Sequence, residues 1–572
     1  MIDFKMTKLN KKILTIFFFL AVFFIAIGAW YSPIIFKGYS SQLISQDMLL
    51  AKNYHETGIL AVQNNQSVVI LSGLTKDNAY QLPISKYLGS AIFAKIFDVI
   101  GVPGYNLLVL LSMVLYAIVM VVFTILTMQL FGLKIAGIFS LVYIFSPLGW
   151  GLSYDLSGYS FCLLFLGTSL IFYFWGIKER EKFNPRINSL FFILSGIFLA
   201  LSAFSKEVSL VFALAIFIFL LVKKFKKQLL FVFIPFAVLM IIFWLPPLLN
   251  GENRYLSLIT GHTTKVDTDI AELHLFPDAH TYYFEKESFL NSFKNQNLGI
   301  FENIETKKVL ANYGFRKITI FERGAVGAYI LSQHLFRFFS LQEFGGPFIF
   351  LLLILGFIYL KKKNKFLYNF SLYWIGISLF VFAFVILVSR NHMMDFIWPL
   401  CLLITLGLYS LLQIIKEHFK LTKTILIDVI IIALVVYNLF LVNRIVFGRL
   451  YDSDAVPRIM AYAQEINKIE IKNAADVIAI PGDIPGQDYS LAYLTGKSFV
   501  IFRSETLEKL LAENKTDMAF GKFNVKYVLG YSDSLSGKIT GETKAINIAS
   551  DSLNIEIEKS SETKSFLMNL FR

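Results

Sequence analysis

The stretch Leu210–Trp244 reads LVFALAIFIFLLVKKFKKQLLFVFIPFAVLMIIFW, two apolar runs divided by a loop with four lysines. Each run approaches or reaches the roughly 17–25 residues that cross a hydrocarbon core. A soluble fold has no place for such a pair, because neither run leaves a polar face for water. Working outward, comparable runs recur through the first 447 positions. The chain of 572 residues is 56% hydrophobic and only 16% charged, with 59 phenylalanines. These features specify a multi-pass membrane protein.

Eleven spans give a consistent topology: 13–31, 105–130, 134–150, 157–176, 188–205, 207–222, 228–248, 345–360, 367–388, 394–415 and 424–446. The connections on one side are then FGLK, KEREKFNPR, KKFKKQ, KKKNK and KEHFKLTK, all basic, and the N-terminus carries Lys5, Lys8, Lys11 and Lys12. Short loops on the other side hold Lys206 and Arg390 alone. By the positive-inside rule the N-terminus is cytoplasmic and the C-terminal part extracytoplasmic. The run Ile13–Tyr31 lacks a small-x-small cleavage site and reads as an uncleaved anchor. Trp30, Trp150, Trp244 and Trp398 fall at outer ends and Trp175 at an inner one, as aromatic belts require. The topology accounts for the net charge of +13 without a nucleic-acid partner. Cys162 and Cys401 both fall inside spans, which leaves neither a disulfide framework nor a thiolate metal site.

The fold class is mainly α, a polytopic helical bundle over residues 1–447 with a small extracytoplasmic α/β domain over 448–572. In the latter, ADVIAI, SFVIF, VKYVLG and NIEIE read as strands, and Ser504–Glu513 as a helix. The PGDIPGQD turn lacks the lysine and spacing of a phosphate-binding loop. Two outer loops are long, 32–104 and 249–344. The first contains an amphipathic piece, Leu82–Phe97, expected to lie on the membrane surface. It also contains LISQDMLLAKNYHETG, Leu43–Gly58. As a helix, this segment sets Asp47 in one stripe with Leu43, Ile44, Leu50, Ala51 and Tyr54. A snorkelling carboxylate is the plain explanation. Yet burying an unpaired carboxylate costs several kcal/mol, on the order of 2–7 for even a neutral polar group, so a site that uses the charge is the other.

Asp155, in the short outer loop of WGLSYDLSGYS, is a solvated acid or a partner to Asp47, able to hold a divalent cation or share base and orienting roles. Lys206 in FSKEV and Arg390 with His392 in VSRNHMMDFIWP place positive charge where it is disfavoured; a phosphate would explain it, as would an ion pair of Lys206 with Glu207. His262, His274 and His280 show no metal spacing.

This order of features resembles the C-type glycosyltransferase (GT-C) superfamily, in particular the protein mannosyltransferases and the lipid A aminoarabinose transferases. The carrying segments are SQDMLLAKNYHETG, YDLSGYSFCLLF, GIFLALSAFSKEVSLVF and SRNHMMDFIWPLCLLI. The resemblance implies an inverting enzyme that takes a sugar from a polyprenyl-phosphate donor at the outer leaflet. It makes Asp47 the catalytic base, Asp155 the second acid, and Lys206, Arg390 and His392 the donor-phosphate side, with Tyr54 in the cleft. Such enzymes often carry Lys-Pro-Pro at the second surface helix. Here Leu82 and Pro83 occupy the place, leaving Lys86 one turn on as a substitute. The Trp-Trp-Asp-Tyr-Gly motif of oligosaccharyltransferases is absent, which argues against block transfer to asparagine. The expected partners are the lipid-linked sugar and a lipid, protein or glycan acceptor. A flippase or a polymerase of lipid-linked polysaccharide is the competing class. A transporter calls for Gly- or Pro-broken helices in related halves; no such symmetry is seen, and the one intramembrane acid, Asp428 in the inner third of its span, is too little to support a pump.

Overall fold

Long apolar runs with no internal partner other than their own backbone become helices, because lipid offers no hydrogen bonds. A computed structural model describes residues 46–58, 87–146, 156, 158–178, 185–206, 208–249, 347–384, 396–418, 428–439, 455–470, 476–481, 487–502, 524–530 and 544–547, together with short pieces at 20, 61–62, 68–69 and 80–81. The chain falls into two compact units, one of residues 1–31, 111–245 and 318–449, the other of 32–110, 246–317 and 450–572.

The first unit is helical. Its elements are most of α3 (Tyr105–Phe131), then α4 (Leu133–Phe145), α5 (Gly158–Lys178), α6 (Pro185–Ser205), α7 (Ser209–Val222), α8 (Lys226–Leu249), α9 (Pro347–Lys363), α10 (Lys365–Phe384) and α11 (Ile397–His418), followed by the shorter apolar helix α12 (Asp428–Leu439). Six described helices are long and apolar enough to cross a membrane. Nine of the expected spans coincide in position with α3 to α11, and α12 lies inside a tenth. Apart from residue 20, the expected span 13–31 lies outside the described residues. On α3, Leu107, Leu110, Val114 and Ile118 are exposed at helical spacing while Leu108, Leu115 and Phe123 are fully or almost fully buried, so one face meets lipid and the other meets protein.

Small and hydroxylic residues join the helices. Ser169 Oγ donates to the Ser195 carbonyl at 2.8 Å, and Ser202 Oγ to that of Cys162 at 2.8 Å, tying α5 to α6. A Cβ on Gly356 of α9 would run into the carbonyl oxygen of Leu403, and one on Gly407 of α11 into that of Leu352, so these two helices touch backbone to backbone. Two sequence expectations change here. Trp398 is 1% exposed, donates from Nε1 to Thr127 Oγ1 at 3.3 Å and stacks on Phe123. It belongs to the packed core instead of an aromatic belt, because α11 is enclosed by other helices. Asp428 opens α12, where Lys416 approaches Oδ1 at 2.6 Å and Lys134 approaches Oδ2 at 3.3 Å, a three-helix staple instead of a lone acid within a span.

The second unit holds α1 (Gln46–Thr57), β1 (Ala61–Val62), β2 (Val68–Val69), β3 (Tyr80–Gln81), α2 (Leu88–Ile100), α13 (Ala455–Asn467), β4 (Val477–Pro481), α14 (Gln487–Thr495), β5 (Ser498–Phe502), β6 (Val525–Gly530) and β7 (Lys544–Asn547). A sheet runs β2-β5-β4-β6-β7. Its C-terminal strands are parallel, and β2, from the first long loop, adds antiparallel through Val68 opposite Val500. The expected strands SFVIF and VKYVLG are present, and ADVIAI is present as Val477–Pro481. NIEIE and the helix Ser504–Glu513 lie outside the described residues.

Candidate functional site: the Asp47 helix

Helix α1 stops at Gly58, whose φ of 70° takes the left-handed conformation open to glycine and whose N–H donates to the Tyr54 carbonyl at 2.9 Å. Met48, Leu49, Leu50 and Ala51 are all 0% exposed. Four successive residues point around nearly the whole circumference, so this turn of the helix is enclosed, while its end at Glu56 and Thr57 is exposed. Its main neighbour is α2, whose Phe93, Ala94 and Phe97 supply the opposing apolar face. Hence the apolar side of this second helix, expected to rest on the membrane, packs on protein. Only its end, with Val99 and Ile100, is left exposed.

In this setting Asp47 is half-buried, and Ser90 Oγ of α2 donates to its Oδ1 at 3.1 Å. The polar side of α1 is engaged as well. Lys52 Nζ donates to the Tyr493 carbonyl at 2.6 Å and stands 5.3 Å from the centre of that ring, while Tyr493 OH donates to the Pro103 carbonyl at 2.9 Å. Desolvation lowers the Lys52 ammonium pKa from its ordinary value, against a smaller opposing effect of Glu56. Burial likewise raises the Tyr493 phenol. A desolvated cation thus fixes α1 to α14, and a buried hydroxyl fixes α14 to the α2–α3 connection. Further along, His55 Nδ1 lies 2.7 Å from Asp98 Oδ1, and Lys95 Nζ donates to Asp98 Oδ2 at 2.7 Å. These hydrogen bonds hold the Asp98 carboxyl below its usual range. The same Lys95 Nζ stands 5.9 Å from the centre of the Tyr54 ring.

Lys206 is part of the helical unit. It ends α6, its N–H donating to the Ser202 carbonyl at 3.1 Å, and its ammonium stands 4.9 Å from the centre of the Tyr159 ring. A Cβ at Gly158 would collide with the Ser205 carbonyl, so the start of α5 is pressed against this turn. Asp155, Lys86, Arg390 and His392 lie outside the described residues. Among the described residues no group of three or more His, Cys, Asp or Glu could hold a metal ion.

Sequence reasoning singled out Asp47 as a candidate and missed the residues that hold it. Ser90 is 43 residues away and Tyr493 is 441 residues from Lys52. Periodicity assigns Lys52 to a solvated face, and a long side chain reaching a distant carbonyl leaves no local trace.

No family model matches the chain, and no curated protein matches it. Among solved structures, the oligosaccharyltransferase of Archaeoglobus fulgidus, crystallised with zinc and sulfate, is 15% identical with a TM-score of 0.51, over 90% of this chain and 67% of that one. ArnT from Cupriavidus metallidurans bound to undecaprenyl phosphate is 10% identical with a TM-score of 0.48, over 93% and 92% of the two chains. Its apo form is 10% identical with a TM-score of 0.40, over 90% and 95%. At such identity the likeness to the oligosaccharyltransferase is one of fold. The chain has a GT-C fold. What this fold does here is decided by residues, not by architecture.

Proposed function

We propose that the protein is an integral membrane glycosyltransferase that moves a sugar from a polyprenyl-phosphate donor to an acceptor hydroxyl at the extracytoplasmic face. The observation that carries this reading is the fixing of Asp47. A half-buried carboxylate, one oxygen accepting from Ser90, sits on a helix locked by apolar burial and by the Lys52–Tyr493 contact. A group held in one orientation by its supports is what a general base requires. The GT-C fold and the motif order around Asp47 support the same assignment.

In the step, Asp47 takes the proton of the acceptor hydroxyl as its oxygen attacks the anomeric carbon. The bond from that carbon to the phosphate oxygen breaks, and the polyprenyl phosphate leaves with the electron pair. Attack opposite the leaving group inverts the centre. Lys206 and Arg390 are assigned to the phosphate by charge, with His392 and Lys86 as secondary candidates and Asp155 as support for the base or for a divalent cation. The absent Trp-Trp-Asp-Tyr-Gly motif favours transfer of one sugar to a lipid, protein or glycan over block transfer to asparagine.

Native mass spectrometry of the purified full chain tests the donor. A mass ladder in isoprene steps bearing phosphate and one sugar is expected. Asp47→Asn should keep that ladder and lose at least about 10²-fold in donor turnover, the lower range for a general base. Retained turnover in Asp47→Asn overturns the assignment, and a co-purified lipid-linked oligosaccharide turns it towards flippase or polymerase.

A further inference from the structure

Eight exposed lysines collect at one end of the helical unit. Lys223, Lys224, Lys226 and Lys227 surround the α7–α8 turn, and Lys361, Lys362, Lys363 and Lys365 surround the α9–α10 turn. The turns are far apart in sequence and are joined by aromatic packing. Phe366 lies 6.0 Å from Phe225 and 5.3 Å from Phe219, and Lys223 Nζ stands 6.0 Å from the Tyr373 ring centre. None of the eight forms an ion pair with a described carboxylate, whereas Lys134 and Lys416 both close on Asp428.

The backbone adds an independent observation. Lys224 has φ of 59°, a left-handed conformation that suits glycine or asparagine. A lysine held there meets the turn's geometry at a steric cost that a neutral asparagine would lower. Directly beside the lysines, Leu221 is 64% and Leu230 54% exposed. The surface therefore sets exposed ammonium groups directly beside exposed apolar side chains. The positive-inside rule accounts for lysines in each loop. It does not require two loops to converge, or a strained position to be a lysine.

We infer that this paired turn is a binding site for an acidic phospholipid of the adjoining leaflet, the lysines taking the phosphate and the Leu221 and Leu230 side chains the first part of the acyl chains. The inference is independent of the transferase reading.

The test uses the full-length protein in neutral detergent, with native mass spectrometry read against added phosphatidylglycerol or phosphatidylcholine. Wild type should retain phosphatidylglycerol about 5-fold or more over phosphatidylcholine, and added salt should erode the preference. Replacing Lys223, Lys226, Lys227, Lys361, Lys362 and Lys363 by glutamine should bring the ratio near one, and replacing them by arginine should preserve it. Should the glutamine variant fail to insert, Lys224→Asn decides alone. It should lower phosphatidylglycerol retention by about 2-fold while keeping or raising the thermal midpoint in phosphatidylcholine. Lys468→Gln, on the other unit, should change nothing. Equal retention of the two lipids by wild type, or an unchanged ratio in Lys224→Asn and the glutamine variant, overturns the inference.

Discussion

Helices α8 and α11 are both long, apolar and able to span a membrane, yet α8 packs on protein along a narrow stripe with Val232 and Phe236, while α11 is enclosed. On α8, Leu230, Ile234, Val238, Ile241 and Ile242 are exposed, and on α11 the run from Cys401 to Leu408 is buried. What separates them is residue size. Around its middle, α11 carries Cys401, Thr405 and Gly407, and Gly407 meets the Leu352 carbonyl of α9 directly. The exposed positions of α8 are large aliphatics and phenylalanine. Lipid tails are as apolar as leucine, so greasiness alone gives no reason to leave lipid for protein. Close backbone approach does, through packing and hydrogen bonds.

Gly407→Val puts this contrast under the heaviest load. The new side chain has to displace backbone of α9, and overpacking of this kind costs about 3 kcal/mol. The expected result is a large drop in the denaturation midpoint in detergent, and an unchanged midpoint would break the account of α11. Polar contact in water should rank well below this. Asp98 has its carboxyl pKa lowered chiefly by the hydrogen bonds from Lys95 and His55. Its contribution is therefore present above the unfolded carboxyl pKa and lost as pH falls through the lowered folded value. Wild type should outlast Asp98→Asn slightly at neutral pH, with the gap closing in acid; a gap that widens in acid contradicts the assignment. The smallest effect belongs to Ile241→Ala on α8. With lipid on both sides of the comparison, the stability change should stay within about 0.5 kcal/mol, and a larger loss would show that Ile241 itself packs on protein.

The same contrast explains what the sequence disclosed. Span positions were legible because hydrophobic length is a local property. Tyr105–Phe131 was expected at 105–130, and the strands SFVIF and VKYVLG stand where alternation and flanking turns put them. Which spans are enclosed was not legible from apolarity, and Trp398 was misplaced for that reason. Helix α14 hid behind the turn-like PGDIPG, and the two residues of β2 are too few to show a period. Asp47 was legible as an anomaly, a charge in an apolar stripe. Ser90, Lys52 and Tyr493 were not, since their meanings depend on partners tens to hundreds of residues away.

That long reach has a consequence for biogenesis. The helix bearing Asp47 leaves the ribosome well before Tyr493, which receives Lys52 from 441 residues further on, and before the strand β5 that receives β2. At about 5–20 residues per second, the interval is on the order of tens of seconds. Throughout it Lys52 has no Tyr493 carbonyl to donate to, and β2 is an unpaired edge. A nascent or truncated chain can therefore carry all of its described apolar helices through α12 and still lack an oriented carboxylate. Assembly of the Asp47 helix becomes a checkpoint, passed only by a chain translated beyond β5.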